Sequence, residues 1–109
     1  MLVTSQMVVF AKIKQDGVWT RLQGHGGYIT FPAHAPDWAV KVTLSFVEGP
    51  RGTCMRLQGD GIDGIPTEIV TGESVSRRCY RGGSLSVDAT SEVGPCFVQA
   101  VLTFTGPGA

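Results

Sequence analysis

The chain has 109 residues, of which 42% are hydrophobic and 17% charged. That is room for one ordinary domain with its own core, in a composition too apolar for a disordered segment. Nine basic residues balance nine acidic ones, which removes the long-range positive field on which nonspecific nucleic-acid binding relies.

No stretch approaches the ~20 consecutive apolar residues of a membrane-spanning helix. Residues 1–10 contain no lysine or arginine and run straight into a strand pattern, so no signal peptide is expected.

Taken in chain order, period-two alternation dominates, placing every second side chain on one face of a strand. Met7, Val9, Ala11 and Ile13 share one face of a first strand, opposite Val8, Phe10, Lys12 and Lys14. Asp16-Gly17 then reads as a hairpin turn into a strand over 18–22, since glycine supplies the positive φ of tight turns. A short strand is predicted over 28–31. Residues 35–38 allow at most a helical turn, because Pro36 opposes anything longer.

Val40, Val42, Leu44 and Phe46 alternate with Lys41, Thr43 and Ser45 in a half-buried strand. Shorter strands are predicted over 53–57, 65–71, 75–80 and 84–89. Cys96, Val98, Ala100, Leu102 and Phe104 share a face opposite Gln99 and Thr103 in a long, central strand. The 15 glycines cluster between these segments, as turns require. About eight strands, spaced about 8 to 12 residues apart, predict an all-β fold: a single-domain antiparallel β-sandwich of jelly-roll kind. The domain is predicted over 1–105, with a short tail over 106–109.

Cys54, Cys79 and Cys96 are an odd, widely spaced set, which precludes a complete intramolecular disulfide framework and favours small buried thiols. Residues 58–65 partly match the glycine and aspartate placement of a calcium-binding β-roll repeat. Such repeats act as stacked arrays, and a single copy reads as a glycine-rich turn. His25 and His34 are the only histidines; with no Cys-x-x-Cys spacing they form no zinc motif. No cofactor or metal is expected.

Arg77, Arg78 and Arg81, around Cys79 and Tyr80, are the densest positive run. On a strand Arg77 and Arg78 point to opposite faces while Arg78 and Tyr80 share one. Such a run reads first as an edge strand blunted by charge and second as a docking surface for a protein partner. Trp19 and Trp38 are core or rim aromatics that could also stack on a sugar.

Without a catalytic constellation, the expectation is a non-enzymatic structural protein whose working parts are strand edges and loops. Its contact sites are expected in the loops over 24–37, 48–52 and 77–83. The candidate partner-binding residues are Arg77, Arg78, Tyr80, Arg81, Trp19 and Trp38. A phage virion component is expected, such as a capsid decoration, cement or small shell protein, assembled in the host cytoplasm. It would act as a dimer or trimer against another virion protein. A carbohydrate-binding module and a small enzyme with a Cys/His site are the alternatives.

Overall fold

The computed structural model describes residues 2–14, 17–24, 33–80 and 82–107. These form ten strands and no helix: β1 (Val3–Ile13), β2 (Thr20–Arg21), β3 (Gln23–Gly24), β4 (Ala33–His34), β5 (Lys41–Glu48), β6 (Thr53–Gln58), β7 (Thr67–Val70), β8 (Ser74–Arg78), β9 (Ser84–Ser91) and β10 (Cys96–Gly106). With no helix among the described residues, none is long and apolar enough to cross a membrane.

Two antiparallel sheets face each other. The first runs β3-β1-β10-β5-β8; the second runs β2-β9-β6-β7, with β4 also pairing with β9. The pairs β1·β10, β2·β9, β5·β8 and β6·β7 are nested in sequence and alternate between the sheets. This is a two-stranded ribbon folded at its middle and wound around a core, the jelly roll that the alternation predicted. The shorter β3 and β4 supplement the eight strands of the ribbon.

The alternation has a direct physical result. Val9, Ala11 and Ile13 of β1, Val42, Leu44 and Phe46 of β5, and Val98, Ala100, Leu102 and Phe104 of β10 are buried from the first sheet. Met55, Leu57, Leu85, Val87 and Ala89 meet them from the second. Met7, in the middle of β1, and Cys96, at the start of β10, are only partly buried against this cluster. Val40, expected on the same face as Val42, precedes β5 and is 52% exposed, while its neighbour Ala39 is buried instead.

The hairpin predicted after Asp16-Gly17 takes a different form. Residues 20–24 do not make one strand against β1. Thr20 and Arg21 pair with Ala89 and Asp88 in the second sheet, whereas Gln23 and Gly24 pair with Phe10 and Val9 in the first. The crossing residue is Leu22, fully buried, whose N–H donates to Val87 O at 2.9 Å. Burial of that one side chain closes the edge between the sheets.

The strand expected over 65–71 starts at Thr67, because Pro66 carries no N–H for the ladder. The strand expected over 28–31 lies outside the described residues. β10 extends to Gly106, so the strand includes the first residue of the expected tail.

Strand direction follows from size. Eleven residues at about 3.3 Å each span about 36 Å, longer than the 27 and 22 Å widths, so β1 and β10 lie along the 44 Å axis. Leu22→Ala should cost about 2–5 kcal/mol in urea unfolding, the range for deleting a buried leucine. Thr103→Ala, on the outer face of β10, should cost well under half of that.

Candidate functional site

Arg77 and Arg78 lie at the end of β8, an edge strand of the first sheet. Val75 and Cys79 face inward, with half-buried Arg77 between them, while Ser76, Arg78 and Tyr80 face out. Arg77 donates to Thr67 Oγ1 on β7 and, at 3.0 Å, to Ser76 O. It therefore bridges the edges of the two sheets, an inward-pointing charge that blunts both. Arg78 sits 6.0 Å from the Tyr80 ring centroid, at the limit of a cation–π contact. Arg78 and Tyr80 thus share an exposed face that Arg77 does not join; Arg81 lies outside the described residues.

The two tryptophans occupy different places. Trp19 is half-buried with the Arg56 guanidinium 4.0 Å from its ring centroid, so a cation covers the face that a sugar would use. Trp38 packs against the core beside β10, where a Cβ on Gly106 would collide with its carbonyl oxygen. The two do not form one platform.

Arg56 belongs to a network that sequence reasoning missed. On the outer face of the second sheet Asp88 is only 6% exposed. It accepts from Gln58 Nε2 at 2.6 Å and from Arg21 Nε at 3.2 Å, with Arg56 Nη2 at 3.8 Å. These bonds tie β2, β9 and β6 together, and charge-assisted bonds are the stronger kind. A carboxylate among the apolar residues of β9 was the available signal, but its partners come from strands far apart in sequence.

A second feature is an open groove of about 420 Å³ where β1 of the first sheet meets β2 of the second. Its lining includes Phe10, Phe97, Lys12, Lys14, Thr20 and Arg21. Outward positions of β1 and β10 set the two phenylalanines side by side, their centroids 6.2 Å apart and the rings 28° from parallel. Phe97 is 46% exposed. Aromatic side chains on a sheet's outer face, bordered by lysines, make a surface that gains from being covered.

All three cysteines are unpaired. Cys79 is buried, and that burial pushes its thiol pKa up. Cys54 departs from the buried-thiol expectation: Thr53, Met55 and Leu57 take the inward positions of β6, leaving Cys54 on the outer face and half-buried. Its pKa is also raised, first by desolvation and then by Glu68 and Glu92.

No protein family and no curated protein matches the chain. Among solved structures, a chain of the Bacillus endospore appendages, a novel family of disulfide-linked pili, aligns over 99% of this chain and 89% of its own, with TM-score 0.52 and 12% identity. The crystal structure of FlhE aligns over 96% of each chain, also with TM-score 0.52 and 12% identity. The likeness is one of fold.

Asp88→Ala should destabilise the protein by about 1.5–3 kcal/mol in chemical denaturation, the range for bonds to a charged group. Thiol labelling near pH 8 should be slower at Cys54 and Cys79 in the folded protein than in urea, and Glu68→Gln should speed Cys54 labelling. Both thiol pKa values are raised on folding, so above the ordinary thiol value the unfolded chain binds fewer protons. The stability contributed by the protonated thiols is complete below that value and falls as pH rises beyond it.

Proposed function

We propose that this chain is a non-enzymatic structural subunit that works by associating with further copies of itself. The observation that carries this reading is the groove at Phe10 and Phe97. A stacked aromatic pair stands on an outward sheet face, where a lone domain leaves much of Phe97 in water and a neighbour gains apolar area. The shared fold with a chain from a disulfide-linked pilus supports the reading, because it shows this architecture in an assembled appendage.

The phage decoration or cement protein expected from the sequence is a narrower form of the same reading. Its mechanism would be identical: edges and loops buried against neighbours, with many weak contacts acting together. No observation of the fold favours a carbohydrate site over this, since one tryptophan is covered by Arg56 and the other supports the core.

Sedimentation velocity tests the proposal. The wild-type protein should associate with rising concentration, and Phe97→Ser should weaken that association while lowering stability by no more than about 1 kcal/mol, the worth of a cross-strand pair. A wild-type chain that stays monomeric up to about 1 mM, the weak end of specific binding, would remove the reading.

A further inference from the structure

The groove has a counterpart at the other end of the molecule. β1 runs from Val3 to Ile13, and the 49–52 turn joins the far end of β5 to Thr53, which places Thr53, Ser91 and Ile13 at one end of the sandwich. Gly17 N–H donates to Ser91 O at 3.0 Å, in agreement with that placement. Lys12, Lys14 and Phe97 lie at this end. β6 runs away from it and finishes at Gln58, so the connection between β6 and β7 lies at the opposite end.

That connection is acidic and apolar-tipped. Asp60 and Asp63 are exposed, and Ile65 is 80% exposed, the most of any large hydrophobic residue among those described. Its base is held firmly. Gly61 N–H donates to Ser84 O at 2.7 Å, Tyr80 N–H to Gly61 O at 2.8 Å and Asp63 N–H to Arg78 O at 2.8 Å. Gly61 and Gly83 approach so closely that a Cβ on either would collide with the other's backbone. The base of the loop is therefore fixed, which lowers the entropy lost on docking.

Resting on the self-association reading above, we infer that copies of this chain join head to tail, the Asp60–Pro66 loop of one seating in the Phe10/Phe97 groove of the next. Ile65 covers the stacked rings. Asp60 and Asp63 meet Lys12 and Lys14, the cations at the groove that no carboxylate among the described residues holds, since Arg21 is paired with Asp88. The apolar contact supplies most of the affinity. The opposed charges set orientation and suppress the tail-to-tail and head-to-head alternatives, where like charges face each other.

The contact is heterologous: the two patches are different and lie at opposite ends. Such a contact propagates until geometry closes a ring, and otherwise it builds a filament. The balanced net charge of the chain is compatible with this local polarity, which rests on two carboxylates at one patch and two ammonium groups at the other.

A mixing experiment tests the inference. Lys12→Glu/Lys14→Glu removes a competent groove and keeps the loop; Asp60→Lys/Asp63→Lys removes a competent loop and keeps the groove. All four side chains are exposed, so both variants should fold, which thermal melting checks. Each alone should be monomeric where the wild type forms longer species, with association weakened by about tenfold or more, a change of about 1.4 kcal/mol. Mixed in equal amounts they should again form longer species, since the Asp60/Asp63 loop of one variant meets the intact groove of the other while the reversed loop and the reversed groove also carry opposite charges. Ile65→Ser should weaken wild-type association without altering the fold.

If both charge variants associate as the wild type does, the contact is elsewhere: the head-to-tail arrangement is wrong while self-association stands. If the mixture stays monomeric although the wild type associates, the loop and groove do not meet and the inference is again overturned. A wild-type protein that never associates would remove both readings.

Discussion

The pairing of the first and last long strands fixes the rest of the molecule. β1 and β10 lie antiparallel through eleven residue pairs, from Val3 with Gly106 to Ile13 with Cys96. This register sends Val9, Ala11, Val98 and Ala100 into the core and Phe10 and Phe97 out together. A slip of one residue would exchange the faces, burying Lys12 and exposing Ile13. The cost of that exchange makes the register unique. The groove is thus a consequence of the same alternation that builds the core.

Around this pair the chain winds as a ribbon, and what could be read beforehand was what depends on side-chain parity. The buried faces of β1, β5 and β10 were legible because period-two patterns report orientation directly. Pairing partners were not, because they depend on residues far apart in sequence. Leu22 shows the difference: its apolar character was visible, but not that it would carry the chain from one sheet to the other. Ile65 shows another. An apolar residue next to a proline looked like the start of a strand, and the missing N–H of Pro66 left it exposed in a loop.

The same distinction governs the site. Arg77, Arg78 and Tyr80 drew attention through local density, yet alternation divides them, and Arg77 bridges the two sheet edges through Thr67. Trp19 and Trp38 were singled out for size, and their surroundings occupy them. Phe10 and Phe97 attracted no notice because each alone is an ordinary strand residue. They become a feature only in the β1·β10 register. Asp88 is similar: a single carboxylate in sequence, and in the fold the point where Arg21, Gln58 and Arg56 converge.

The central claim is that this sandwich is a polar building block whose two ends carry different patches, a loop and a groove, that fit each other. Electron microscopy of the concentrated wild-type protein tests it most directly. The account predicts linear oligomers or filaments whose axial repeat is close to, and no longer than, the 44 Å length of the domain. Closed two-fold dimers, in which both copies use the same patch, would contradict it.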